Sequence, residues 1–223
     1  MSADLALDAV RLGVADLDAA TDAYRTLLGV APVAHDRARR FQLGRGAVEL
    51  EAGPPGLRAI RFVGRGTVPP DPDVVPVVVD APPAVPWPVT LDAPVAAIDH
   101  MVIQTPDPER AIAFWRDRVG LRLALDRVFE QRGLRLVFFR SGGITLEYAA
   151  AHPPVADRTG PDGFHGLSYR VVDLGAHRAR LLDAGVDVSE VRVGMRPGTS
   201  VATVRSHTAG VPTLLLQVEP AGG

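Results

Sequence analysis

The 223 residues include 24 arginines and no lysine, 26 acidic residues, six histidines and no cysteine, for a formal net charge of −2 at pH 7. These numbers exclude disulfide, thiolate, iron–sulfur and cysteine–zinc chemistry as well as a Schiff-base or P-loop lysine, and the near-neutral charge argues against gripping nucleic-acid phosphates. A 47% hydrophobic content is that of a globular chain, no apolar run approaches the roughly 18 residues of a spanning helix, and the opening Met1–Val10 lacks the flank and core of a signal peptide, so the expected location is the cytoplasm and no membrane partner is expected.

In chain order, the first unit opens with the strand LALDAVRLGV, continues through a helix after Asp16 that ends near Gly29, and closes with the strands RRFQLG and GAVELEA. Residues 53–95 are different. GLRAIRFVG resembles the opening strand of another unit, but the prolines that follow forbid a regular helix and allow only short or edge strands, so this stretch reads as a degenerate unit ending in a linker. The segment Leu7-Asp8-Ala9-Val10, Asp16, Tyr24, Gly29 then returns as Ile98-Asp99-His100-Met101, Asp107, Trp115, Gly120, at a constant offset. Here the strand IDHMVIQ leads to Asp107-Pro108, a cap followed by a proline suited to the first helical turn; Ala111, Ile112, Trp115 and Val119 recur at helical spacing, and three strand segments follow. A third copy starts at Phe164-His165-Gly166-Leu167, places a helix from about Asp173 to Asp183, and ends in PTLLLQVEP.

The repeat predicts an α+β fold of tandem βαβββ modules whose mixed sheets pair into a cup. Two domains are expected: residues 1–95, a module plus a truncated proline-rich unit without metal, and residues 96–223, a pair of modules carrying the site. The pair closes within one chain or by exchange with a second copy, which would make a homodimer.

Counting back from Gly120 and Gly185, His100 and His165 fall at the same repeat position, on the first strands of their modules. Glu147 lies in the last strand of its module among apolar neighbours, and Gln217 occupies the corresponding position in LLLQV. A carboxylate set among apolar residues needs a partner, and two imidazoles, a carboxylate and an amide oxygen suit a divalent metal. The expected metal ligands are therefore His100, Glu147, His165 and Gln217. Tyr148, Tyr169, Arg140 and Arg196 are candidate pocket contacts, whereas His35, His152, His177 and His207 read as solvated.

Ile98-Asp99-His100, the run Pro106 to Ala111 with Phe114-Trp115, the pair Leu146-Glu147, and His165-Gly166-Leu167 leading to Val172-Asp173-Leu174 together resemble the vicinal oxygen chelate superfamily, which includes glyoxalase I, methylmalonyl-CoA epimerase, extradiol dioxygenases and the bleomycin resistance proteins. The resemblance covers about residues 96–220, with a weaker match over 5–52. It implies one metal per cup, with ligands from the first and last strands of each module, and a divalent ion such as Zn, Ni, Co, Mn or Fe. Ala9 stands where a ligand histidine would, and spacing alone leaves both Glu49 and Glu51 eligible in the last strand of the first module. The resemblance points to a metal-dependent lyase or isomerase acting on a small carbonyl or hydroxy-acid compound through an enediolate or enolate, with Glu147 as the catalytic base. The alternatives are a non-catalytic binding or resistance protein and a ring-cleaving dioxygenase; Gln217 in place of an anionic ligand disfavours the last.

Overall fold

The computed structural model describes residues 5–219; the first four residues of the opening segment and the last four of the chain lie outside the described residues. The first module comprises β1 (Leu5–Val14), α1 (Leu17–Leu28), β2 (Val33–His35), β3 (Ala38–Gln42) and β4 (Ala47–Ala52), followed by β5 (Gly56–Gly64) and β6 (Val77–Asp80). The second has β7 (Val95–Gln104), α2 (Pro108–Ile112) continuing as a π-helical stretch over Ala113–Arg118, β8 (Arg122–Phe129), β9 (Leu134–Ser141) and β10 (Ile144–Ala151). The third has β11 (Gly163–Val171), α3 (Leu174–Asp183), β12 (Arg192–Val193), β13 (Thr199–Val204) and β14 (Thr213–Val218). Each module is the expected βαβββ unit.

The helices start where the sequence places their caps. Asp16, Asp107 and Asp173 are extended residues whose carboxylates accept hydrogen bonds from backbone N–H groups of the first turns of α1, α2 and α3. α1 ends at Gly29 in the left-handed conformation (φ 70°), which glycine adopts without a Cβ penalty.

Two sheets result, a six-stranded one ordered β2-β3-β4-β1-β5-β6 and an eight-stranded one ordered β12-β13-β14-β11-β7-β10-β9-β8. In every module the first strand runs parallel to the last, and β7 and β11 join the second and third modules antiparallel within the one chain. The truncated unit keeps this scheme in reduced form: β5 is antiparallel to β1, and β6 is parallel to β5. Its helix is replaced by proline-rich chain, part of which packs against the second module, where Arg118 pairs with Asp71 at 2.9 Å.

The helix-bearing faces of both sheets contribute to one apolar core, in which the rings of Phe62 and Trp115 lie 5.8 Å apart and the Tyr24 hydroxyl donates to the Thr208 carbonyl at 3.1 Å. Ser141 ties the sheets together by accepting from Leu7 N and donating to Leu5 O, both at 3.0 Å. Tyr148 and Tyr169 are fully buried in this core, Tyr148 accepting from Trp115 Nε1 at 2.6 Å, so neither is the pocket contact the sequence suggested. His177 of α3 is not solvated either: it is 2% exposed, and burial together with the Arg180 charge pushes its pKa down to about 4. Because that is below the value of about 6.5 for an unfolded histidine, the folded state keeps this contribution above pH 6.5 and loses it as pH falls toward 4. His177→Gln is therefore expected to flatten the stability profile between pH 6.5 and 4 by on the order of 3 kcal/mol relative to the parent chain, measured by urea denaturation across that range.

Candidate functional site

Side chains alternate between sheet faces, so strand register decides which residues meet on the faces opposite the helices. On the six-stranded sheet that face is filled by charge. Arg40 and Glu49 are both 0% exposed; Arg40 Nη1 donates to Glu49 Oε1 at 2.7 Å and to Asp8 Oδ2 at 2.9 Å, and Arg61 Nη1 donates to Glu49 Oε1 at 2.9 Å. Register resolves the earlier choice: Glu49, paired with Arg11, occupies this face, while Glu51 lies further along and contacts Arg58. The proline-rich segment closes the network from above, with the Trp87 ring 4.8 Å from the Arg40 guanidinium and 4.8 Å from the His35 ring. His35 is therefore packed rather than solvated. Burial raises the Glu49 pKa, but hydrogen bonding from Arg40 and the charges of Arg61, Arg40 and Arg11 outweigh it and hold the group below its ordinary value. A depressed carboxylate stabilises the fold above its unfolded pKa and ceases to do so as pH falls through the folded one. Arg40→Met, which removes the donor shared by Glu49 and Asp8 and leaves them Arg11 and Arg61, should cost about 1–3 kcal/mol at pH 7 in chemical denaturation, and the deficit should shrink in acid.

On the eight-stranded sheet the corresponding face carries His100 and Glu147. Thr145 lies beside His100 and Glu147 beside Val102 in the parallel β7–β10 ladder, and His100 Nε2 is 3.7 Å from Glu147 Oε2. A register irregularity at Asp99 turns its carboxylate toward the same face, where Oδ1 lies 3.0 Å from His100 Nδ1 and Oδ2 accepts from Arg170 Nε at 2.9 Å and also from Nη2. Arg170 and Asp99 were not among the expected site residues, although the recurrence of Asp8 as Asp99 marks the position. Burial works against ionised Asp99, but hydrogen bonds from His100 and Arg170 more than offset it and hold the carboxyl well below the usual range. Glu147 moves the other way: burial raises its pKa, His100 lowers it in part, and Asp99 raises it further. Ser168 faces His100 across the β11–β7 ladder, and its buried hydroxyl has no partner among the described residues.

The four expected ligands do not come together. Counted back from the helix caps, Ala9, His100 and Gly166 are equivalent, each seven residues before Asp16, Asp107 and Asp173. The interval from Asp173 to Gly185 is one residue shorter than the matching intervals in the other modules, so counting from the glycines selected His165 instead. His165 lies in the register shift between Phe164 and Gly166 and is exposed. Gln217 is two residues beyond Leu215, on the helix-bearing face, where its Oε1 accepts from Leu174 N at the start of α3 at 2.7 Å. The residue equivalent to Glu147 and Glu49 is Leu214, which pairs with Ser168. Among the described residues, no group of three or more His, Cys, Asp or Glu side chains is placed to hold a metal ion. His100 and Glu147 supply two donors where known catalytic zinc sites use at least three protein ligands, so these residues do not fit the implied metal site. Two cavities, of about 410 Å³ beside Leu91–Pro94 and α3 and about 400 Å³ among the prolines near Phe114, lie away from this pair.

Gly166 is required by its surroundings, since a Cβ there would sit 2.4 Å from the Pro212 carbonyl oxygen. Gly166→Ala should cost on the order of 1–3 kcal/mol in thermal or urea unfolding, through displacement of β14 from β11.

Residues 99–203 match the family described as the Glyoxalase/Bleomycin resistance protein/Dioxygenase superfamily. A xylose isomerase-like TIM barrel/4-hydroxyphenylpyruvate dioxygenase fusion protein superposes on 100% of this chain and 50% of its own, with a TM-score of 0.69 and 14% identity, which shows a shared fold. Methylmalonyl-CoA epimerase from Mycobacterium tuberculosis covers 59% of this chain and 93% of its own at 23% identity and a TM-score of 0.48. The Streptomyces coelicolor methylmalonyl-CoA epimerase in complex with 2-nitronate-propionyl-CoA covers 56% and 99% at 22% identity and a TM-score of 0.45. No curated protein matches the chain. Among the described residues no helix is long and apolar enough to cross a membrane.

Proposed function

We propose, from the match of residues 99–203 to the Glyoxalase/Bleomycin resistance protein/Dioxygenase superfamily, that this chain is an isomerase or lyase that moves a proton next to a carbonyl group of a small molecule. The observation that carries this reading is the chain Arg170–Asp99–His100 ending beside Glu147, on a sheet face that also holds the unpartnered Ser168 hydroxyl. Glu147 acts as the base. Its burial-raised pKa brings it closer to neutrality, where a carboxylate is a stronger proton acceptor. Asp99 fixes the imidazole through Nδ1, which leaves Nε2 on the Glu147 side to take or return the second proton. Negative charge developing on the substrate oxygen is balanced by the Arg170 guanidinium and the Ser168 hydroxyl. The lyase or isomerase chemistry implied by the sequence is kept, and the four-ligand metal centre attached to it is not. A second reading, capture of a small molecule without turnover, is favoured by the bare Gly166 and the apolar Leu214 at the third-module positions equivalent to His100 and Glu147.

Deuterium incorporation from D2O, followed by NMR for a panel of 2-oxo acids, 2-hydroxy ketones and acyl thioesters, tests the proposal. Glu147→Gln should lower the exchange rate by about 10²- to 10⁴-fold with little change in melting temperature, and Asp99→Asn should lower it less. Since Glu147 must be ionised to accept a proton, the acid limb of the rate profile should lie above the ordinary glutamate value of 4.5. Chelator treatment should leave exchange intact. Saturable binding of a panel member without exchange would favour capture, and exchange unaffected by Glu147→Gln would remove the base.

A further inference from the structure

The same sheet face carries arginines that nothing else in the fold explains. Arg122 and Arg140 are directly opposite in the antiparallel β8–β9 ladder, and both are exposed. Like charges in directly opposed cross-strand positions repel, and neither residue has an acidic partner within 4.0 Å among the described residues, whereas Arg135 on the other face is held by Asp126 and Glu109. Arg45, from the turn between β3 and β4, reaches the β9–β10 turn, three residues beyond Arg140. It bridges Ala97 near the start of β7, and its side chain runs across Gly143, where an added Cβ would lie 2.9 Å from Arg45 Cδ. Arg45 also lacks an acidic partner among the described residues. Of the carboxylates on this face, Asp99 is already committed to His100 and Arg170, and Glu147 lies two residues along β10 from the row in question.

That row runs His100, Thr145, Arg140, Arg122 across four adjacent strands. At the usual spacing of about 4.8 Å between strands, Arg140 stands on the order of 10 Å from His100 and Arg122 on the order of 14 Å. We infer that Arg45, Arg122 and Arg140 form a subsite for an anionic group of the substrate, a phosphate or a carboxylate, held about 10 Å from the carbon that loses its proton. An anion seated between the guanidiniums would relieve their mutual repulsion and accept charge-assisted hydrogen bonds from them. The position of the subsite relative to the reacting carbon rests on the function proposed above; its affinity for anions does not.

Calorimetric titration of the full chain at low ionic strength with pyrophosphate, and separately with malonate, tests the subsite. One anion per chain should bind, and Arg122→Gln/Arg140→Gln should weaken it about tenfold or more, Arg45→Gln should act in the same direction, and Arg65→Gln, at an exposed arginine outside this row, should not. Without ligand, Arg140→Gln should melt slightly above the parent chain, because a repulsion has been removed, and pyrophosphate should raise the melting temperature of the parent chain but not of Arg45→Gln. Preference for pyrophosphate would indicate a phosphate-bearing substrate, and preference for malonate a carboxylate. Absence of binding by the parent chain, or equal weakening by Arg65→Gln, would overturn the inference. His100→Ala should leave anion binding unchanged, so the subsite can stand where the proton-transfer reading fails, and the reverse.

Discussion

The antiparallel ladder between β7 and β11 carries the eight-stranded sheet across the boundary between two modules, and its register decides which side chains share a face. Because successive residues on a strand point to opposite sides, one step of register moves a residue from the open face to the core. His100 and Glu147 meet because β10 pairs with β7 in the register that sets Glu147 beside Val102. Tyr148, one residue along, is buried under Trp115 for the same reason, and Gln217 reaches the cap of α3 instead of the cup.

The two sheets answer one chemical problem in two ways. Each has an aspartate at a bulge in its leading strand, Asp8 or Asp99, and a glutamate at the matching place in the last strand of a module, Glu49 or Glu147. In the six-stranded sheet, arginines from β1, β3 and β5 neutralise the carboxylates completely, and Trp87 covers them. Burying that much charge is tolerable only because each group has several charged hydrogen-bond partners, and the result is a closed structural network. In the eight-stranded sheet the arginine side is thinner. Arg170 pairs with Asp99 and with no other carboxylate among the described residues, and Glu147 faces the His100 imidazole. The same module scaffold yields a sealed face in one half and a more open one in the other: Glu49 has His35 at 3.8 Å and three arginines besides, whereas Glu147 has His100 at 3.7 Å and no arginine.

Much of this was legible in the residues themselves. The βαβββ repeat, the capping aspartates, the absence of a helix in the proline-rich unit and the pairing of His100 with Glu147 all follow from local preferences or from comparing copies. His165 was selected through a single residue of spacing. The third helix segment is one residue short, so a count from its terminal glycine selected the exposed His165, whereas a count from the cap leads to Gly166. Cap position is the better ruler, because the strand feeds directly into the cap while helix length varies independently. Asp99 and Arg170 escaped notice for another reason. A charged pair on adjacent strands 71 residues apart leaves no trace in any window of sequence, and the bulge that turns Asp99 toward the cup exists only once the ladder has formed.

The order of elements, the modular class and the exclusion of cysteine and lysine chemistry were determined by the sequence alone, since they depend on composition and on contacts within a few residues. Which face each polar residue occupies was decided by tertiary structure. That is why one glutamate is locked among arginines and the other stands beside a histidine, and why a glutamine caps a helix. Face is set by strand register, and register is fixed by hydrogen bonds between segments far apart in the chain.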